Sequence, residues 1–418
     1  MKKTFLYSSI ICACAMMAFT SCNNSDEPNV ENEKPAQYSI QLTAPQQKVL
    51  SQSNDFAFDV LKTINKEDGN VFVSPYSLGQ VLAMLANGAE GQTYDEIATV
   101  LKIGDGTSLD DINSYYSTMN STLTTINSSA KFMVANSLWL NKNYNVLESY
   151  KTDMKSFFNA KVETLDFSDR KTVDLINNWV KESTNGLIPG IVDEVDPVFD
   201  CAWLLNSLYF RGFWKYFPKK NTYDDTFYNK QNNGEKVKMM KSDECYLNGC
   251  ITKEELALEL TYGGEAFQMM VIMPKSERIN DYINALNGEK YAQVLSQMTK
   301  NESEVIMPKF KSIYNNDFKD ALRAMGMSRV LSDNAQLGKM TTVKNVHLSK
   351  ILQNTSIEVN EEGTIAVATT GGKVTGVIDD IPQIIKYVID RPFIYLIRER
   401  TTGAILFIGK VQSMAGMQ

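Results

Sequence analysis

From Glu358 to Ile378 the chain reads EVNEEGTIAVATTGGKVTGVI, and this stretch narrows the folds open to the whole more than any other. Beyond Gly363 the alternate positions Thr364, Ala366, Ala368, Thr370 and Gly372 hold nothing larger than Thr, while Ile365 and Val367 lie between them. Side chains of an extended chain alternate between two faces, so one face of this segment would carry small side chains alone. A strand of that shape can slide between two existing strands with little steric resistance. Yet Gly371 and Gly372 weaken any strand formed in advance. The pattern suits a loop able to become a strand. It equally suits a Gly/Thr-rich surface connection, and the choice rests on motifs elsewhere.

A chain of 418 residues can bury a large core, and its length admits two or three domains. The formal net charge of -7 leaves no basic excess to neutralise phosphates, so nucleic acid is not expected as a partner. His347 is the only histidine, which all but excludes multi-His metal sites and makes any His-based triad depend on one residue. There is no G-x-S-x-G, no H-E-x-x-H and no Walker-type loop, so no catalytic residue and no metal ligand is assigned.

Residues 1–21 read as a targeting segment. Lys2 and Lys3 give a positive start, and Phe5 to Phe19 is mostly apolar but too short for an ordinary membrane span. Thr20-Ser21-Cys22 resembles the cleavage box of bacterial lipoproteins, with Phe19 where Leu is usual. The resemblance implies cleavage before Cys22 and lipidation of its sulfur, hence anchoring at the outer membrane or cell surface through lipid rather than a spanning helix. Secretion or a periplasmic location, with Cys22 incidental, is the alternative. Residues 22–45 are polar, include Pro28, Pro35 and Pro45, and read as a tether between lipid and domain. Three further cysteines, Cys201, Cys245 and Cys250, make no disulfide framework; Cys245 and Cys250 could pair, but nothing requires it.

From Gln46 a helical period places Phe56, Val60, Leu61 and Ile64 on one face. Ser74 can cap a helix whose first turn accepts Pro75 and which Gly88 ends. Thr93 starts another, and Thr172 to Thr184 and Phe318 to Met325 read as two more. Strands are expected at Phe132–Leu140, Ala202–Phe210, Phe267–Met273, Glu304–Met307, Phe393–Arg398 and Ile405–Val411, the last two joined through Thr401-Thr402-Gly403. Helices dominate the first third and strands the part beyond Ala202, an α+β pattern within one large domain, residues 46–418.

The motifs taken together carry a family resemblance. Asn70-Val71-Phe72-Val73-Ser74-Pro75-x-Ser77, Leu85-x-x-Gly88-Ala89-x-Gly91-x-Thr93, Ala135-Asn136-Ser137-Leu138-Trp139, Ile176-Asn177-x-Trp179-Val180, Leu205-Asn206 through Trp214, Val359-Asn360-Glu361-Glu362-Gly363-Thr364, Arg391-Pro392-Phe393 and Gly403-x-Ile405-Leu406-Phe407-x-Gly409 stand in the order and spacing of the serpins. The chain resembles that family over residues 46–418. The resemblance implies a serpin fold of three β-sheets with about nine helices and an exposed, insertable reactive-centre loop at about 363–385. It implies a suicide-substrate inhibitor rather than an enzyme. A serine-type protease cleaves the loop, forms an acyl-enzyme, and is trapped when the loop enters the main sheet. The alternative is a non-inhibitory binding protein whose loop is only a substrate.

Site residues follow from the matched positions. The hinge is Glu361, Glu362, Gly363, Thr364, Ala366 and Ala368, whose small members favour the inhibitory form. Fourteen positions after the hinge glycine in the family's count, the scissile bond falls at Val377–Ile378; the inserted strand would span roughly 45 Å at about 3.3 Å per residue. Val377 suits an elastase-like pocket, whereas Lys373 as the alternative suits a trypsin-like one; cysteine proteases are further possible targets. The hydrogen-bonded shutter beneath the opening strands matches Ser74, Ser77 and Asn206, with Gln353 where a histidine often stands. The breach at the head of the sheet matches Lys309, Glu361 and Trp214. No cofactor is implied, since Ser108 to Ser128 lacks the Lys and Arg of a heparin-type site. A monomer is expected.

Overall fold

The computed structural model describes Tyr38 to Met417, apart from residues 66–68, 105, 127–129, 185, 187–188, 215, 230, 277, 349 and 362–383. Nine helices are described: α1 (Ala44–Ile64), α2 (Pro75–Gly88), α3 (Gly91–Val100), α4 (Leu109–Leu123), α5 (Glu148–Phe158), α6 (Lys171–Ser183), α7 (Ile279–Ala285), α8 (Gly288–Gln297) and α9 (Lys319–Ala324). The strands are β1 (Val71–Val73), β2 (Lys131–Asn141), β3 (Lys161–Leu165), β4 (Ala202–Arg211), β5 (Tyr223–Tyr228), β6 (Gly234–Lys241), β7 (Cys245–Ile251), β8 (Glu255–Thr261), β9 (Phe267–Pro274), β10 (Thr299–Pro308), β11 (Phe310–Asp317), β12 (Leu352–Val359), β13 (Ile385–Val388), β14 (Phe393–Glu399) and β15 (Ile405–Val411). The expected α+β order holds, with four of the first six elements after β1 helical and strands dominating from β4 on.

Three sheets are described. The largest has ten strands in the order β1-β15-β14-β9-β8-β7-β10-β6-β5, with β13 pairing β10 in parallel. Its central strands β9, β14 and β15 are buried along their whole length apart from Arg398, as expected for apolar runs covered on both faces. A second sheet runs β3-β2-β4, and a third is the antiparallel pair β11-β12. Helix α2 threads the middle of the core with every residue except Asn87 buried, the mark of a helix enclosed on all sides. Its start is as the sequence indicates: Ser74 caps by accepting from the Ser77 N–H, and Pro75 occupies the first turn.

Helix α6 lies across β2 and β4, where Trp139, Phe167, Ile176, Val180, Val192, Trp203 and Leu205 form a second core. Alternation divides each strand between the two cores. On β4, Leu204 and Leu208 face the main core while Trp203 and Leu205 face α6.

One expectation needs correction, and one question that the sequence left open closes. The tether read as reaching Pro45 ends earlier: Ala44 and Pro45 already belong to α1, whose capping box joins Thr43 and Gln46. Ahead of it, the Tyr38 hydroxyl donates to the Ala266 carbonyl and to Glu399. Glu399 is fully buried and also accepts from the N–H and hydroxyl groups of Thr401 and Thr402, so the domain's first described residue is tied to its C-terminal hairpin. Cys245 and Cys250 do not pair: they stand five residues apart on β7, on opposite faces, and both are free thiols, as is Cys201. Burial pushes the Cys201 thiol up to about 12, which leaves it unreactive.

Candidate functional site

The site is a seam between β4 and β12. The two strands run side by side in the same direction: at one end Leu352 packs on the cluster that holds Trp203 and Leu205, and at the other Trp214 meets Asn360. Among the described residues no ladder joins them; there β4 pairs with β2 and β12 with β11. Two strand edges thus face one another with backbone groups able to accept a further strand. Glu361, the last described residue before 362–383, sits directly after the seam's head.

Beneath the seam the four residues singled out in sequence come together. The Ser74 N–H donates to Gln353 Oε1 at 2.8 Å, and Gln353 Nε2 returns a bond to the Ser74 carbonyl at 2.9 Å. The amide of Gln353 thus pairs with both backbone groups of one residue, as a residue of a neighbouring antiparallel strand would. The Ser74 hydroxyl donates to the Leu406 carbonyl at 2.7 Å, and the Ser77 hydroxyl to Asn206 Oδ1. The network has therefore been rebuilt around an amide where the family often has a histidine. His347 stands apart, its Nδ1 3.1 Å from Asp333 Oδ1.

The network extends beyond the residues named from sequence. Asn206 Nδ2 donates to Asn136 Oδ1 at 2.7 Å, across a register in which the two asparagines are directly opposite. Asn136 donates to the Phe158 carbonyl at 2.8 Å and to Gln80 Oε1 at 3.1 Å; Asn120 donates to the same oxygen at 2.8 Å and accepts from the Tyr76 hydroxyl at 2.7 Å. Asn136 was legible as a pattern, since Asn136 and Asn206 occupy alternate positions otherwise filled by Phe132, Leu138, Leu204 and Leu208 on the main-core face. An amide within such a row is buried, and a buried amide needs partners.

At the head of the seam the expected clamp is closed. Lys309 Nζ lies 2.7 Å from Glu361 Oε2, and the Thr222 hydroxyl, not foreseen from sequence, donates to Glu361 Oε1 at 2.7 Å. The Glu361 side chain is 6% exposed, so this is no solvated surface pair. Burial raises the Glu361 pKa, but the bonds from Lys309 and Thr222 outweigh it and hold the carboxyl below its usual range. Trp214 donates from Nε1 to the Asn360 carbonyl at 3.0 Å, and its ring stacks on Tyr262 at 5.0 Å with planes 7° apart. Glu362, Gly363, Thr364, Ala366, Ala368, Lys373, Val377 and Ile378, and also Cys22, lie outside the described residues.

The serpin (serine protease inhibitor) family profile matches residues 51–414. Intracellular coagulation inhibitor 1 of Tachypleus tridentatus is 33% identical over 379 residues, covering 88% of this chain and 89% of that protein. Leukocyte elastase inhibitor A of Mus musculus is 30% identical over 384 residues, covering 87% and 99%. The crystal structure of a thermophilic serpin, tengpin, in the native state superposes with a TM-score of 0.78 at 28% identity, covering 92% of this chain and 98% of that one.

Two substitutions test the fasteners. Gln353→Ala leaves the buried Ser74 N–H without its acceptor, while the Ser74 carbonyl keeps its bond from the Leu78 N–H; the loss costs on the order of 2 kcal/mol and should lower the thermal midpoint of the uncleaved protein by several degrees. Gln353→Glu keeps the acceptor and loses the donor, so its midpoint should fall between. An unchanged midpoint for the alanine variant would show the pairing to be idle. Glu361→Lys sets a second cation against Lys309 and should speed heat-induced polymerisation, followed on native gels. Because the Glu361 pKa is depressed in the fold, its contribution is complete above the unfolded value of about 4.3 and is lost as pH falls through the folded value. The parent should therefore lose its resistance as acid carries the pH through that depressed value, and a Glu361→Gln variant should show no such acid step.

Proposed function

The chain belongs to the serpin family, and from that premise we propose that it is a suicide-substrate inhibitor of serine-type proteases with its scissile bond at Val377–Ile378. The protease's serine Oγ attacks the Val377 carbonyl carbon, the bond to Ile378 breaks, and the new Ile378 amine takes the proton that the serine gave up. The Val377 ester would ordinarily be released by water. Insertion of the freed segment between β4 and β12 competes with that hydrolysis and carries the enzyme away from the head of the sheet.

The observation that carries this reading is the unpaired seam with the hinge beginning at its head. A strand pairing along both edges would gain on the order of 10 kcal/mol at roughly 1 kcal/mol net per hydrogen bond. The small side chains at Thr364, Ala366 and Ala368 are those such a strand can carry inward. The uncleaved state is then kept by a kinetic barrier to which the amide network and the Glu361 clamp contribute. Val377 supports an elastase-like target, in keeping with the mouse protein named as a leukocyte elastase inhibitor.

Mixing the purified domain with pancreatic elastase, neutrophil elastase and trypsin should give a band at the summed mass that survives denaturant, with a released peptide starting at Ile378. Loop cleavage by all three without such a band, and without a rise in thermal stability, would overturn the reading.

We also place the protein at the cell surface, held by lipid on Cys22, on the strength of the Thr20-Ser21-Cys22 box. A Cys22→Ser variant should then move from the membrane fraction to the soluble one. Equal partitioning of variant and parent would rule the anchor out.

A further inference from the structure

Ahead of α1 the chain lies against the domain in a regular way. Tyr38, Ile40 and Leu42 pack on the core, and Ser39 and Gln41 between them are exposed. That period of two belongs to an extended segment laid along a surface. The ends of a chain order only where something ties them. Here the tie is the Tyr38 hydroxyl, which donates to the Ala266 carbonyl at 2.9 Å and to Glu399 Oε1. Glu399 is already supplied, because the N–H and hydroxyl groups of Thr401 and Thr402 donate to the same carboxylate. Burial, with that carboxylate alongside, pushes the Tyr38 phenol well above its usual range, so the hydroxyl keeps its proton and donates at any ordinary pH.

What Tyr38 holds is the turn from Tyr262 to Ala266, which joins β8 to β9. Gly264 and Glu265 stand there at φ 73° and 56°, two left-handed residues in succession, and for Glu265 that conformation is unfavourable. Such a turn keeps its shape only where its surroundings fix it. The fixing bonds come from two sides. On one, the Tyr38 hydroxyl and the Arg400 N–H meet at the Ala266 carbonyl, the second at 3.0 Å, and Arg400 Nε donates to the Glu265 carbonyl. On the other, the Gly263 N–H donates to the Phe213 carbonyl. The turn's first residue, Tyr262, carries the ring on which Trp214 stacks, and that ring lies so close over Gly212 that a Cβ there would come within 2.3 Å of it. Trp214 in turn holds the carbonyl of Asn360, next to Glu361. Described residues thus form one line of contacts from the segment ahead of α1 to the base of the hinge. We propose that residues 38–42 are a strap that braces the Tyr262–Ala266 turn and, through it, keeps Trp214 on Asn360, so that the lifetime of the uncleaved state is set in part from the segment in front of α1. The strap is reachable, since Ser39 and Gln41 face solvent, so a pull on it or a cut within it is felt at the head of the seam. The inference concerns the uncleaved fold and goes beyond the trapping of a protease.

The test is a double-mutant cycle on the full chain, read as the rate of heat-induced polymerisation on native gels. Tyr38→Phe removes one hydroxyl and keeps the ring. It should polymerise about five-fold faster than the parent, part of the worth of one charge-assisted hydrogen bond. Trp214→Phe cuts the bond to Asn360 and should be faster as well. Adding Tyr38→Phe to it should then change the rate by less than about two-fold, because the brace no longer has anything to hold. Thr43→Ala breaks the α1 capping box without touching Tyr38 or the turn. It should lower the thermal midpoint, and its effect on the rate should be the same with and without Trp214→Phe. A Tyr38→Phe rate within about two-fold of the parent's, or one that rises as much in the Trp214→Phe background as alone, overturns the inference. Neither outcome bears on whether the loop traps a protease, which the denaturant-stable band decides separately.

Discussion

Two strand edges that could each hydrogen-bond to a neighbour lie side by side at β4 and β12, and much else in the structure bears on keeping them unpaired. Open edges are ordinarily blunted by charge, proline or a covering element. Here they face inward across a seam, and what holds them is not a covering strand but polar groups fastened below and above. Below, side-chain amides link β12, the start of α2, β4 and β2 into one chain of hydrogen bonds from Gln353 to Asn120. Such a chain is costly to break, since each severed member leaves a buried group without solvent. It also fixes geometry, because Gln353 can pair with Ser74 only when β12 lies at one height beside α2.

The clamp at the head works through a different balance. Desolvation works against the Glu361 charge; the ammonium of Lys309 and the hydroxyl of Thr222 restore more than burial removes. A carboxylate so placed is stable only while all three groups stay together, so movement at Glu361 releases a buried charge. Trp214 adds a second tie one residue earlier, through the Asn360 carbonyl. The hinge therefore begins at a point held from two sides, directly before the residues whose small side chains suit insertion.

Much of this was legible in the chain. The Ser74-Pro75 start of α2, the apolar runs of β9, β14 and β15 and the hairpin at Gly403 follow from capping, burial and turn chemistry that act within a few residues. Ser74, Ser77, Asn206 and Gln353, and Lys309, Glu361 and Trp214, were named through the family resemblance, and the structure brings each set together. Thr222 was not, because a threonine next to a short 3-10 turn has no sequence mark that separates it from any other polar surface residue. The α1 start was misplaced by Pro45, read as a linker proline although proline is also at home in a helix's first turn. Cys245 and Cys250 were left open, and strand alternation alone, once β7 is known, settles them.

Gln353 has a consequence for how the seam can respond to its surroundings. A histidine at that position would place a group that titrates near neutrality inside the network. With an amide there, the connected set of Ser74, Ser77, Gln353, Asn206, Asn136, Gln80 and Asn120 contains nothing that ionises in the ordinary range. Tyr76, at its far end, is pushed well above its usual value by burial. Proton uptake can loosen the seam only at its head, through Glu361, and only in acid. The lower fastener is thus indifferent to pH from mildly acidic to alkaline conditions. What remains to open it is mechanical: β12 must move relative to α2 far enough to break both Gln353 bonds at once, which a strand entering from Glu361 downward would do last.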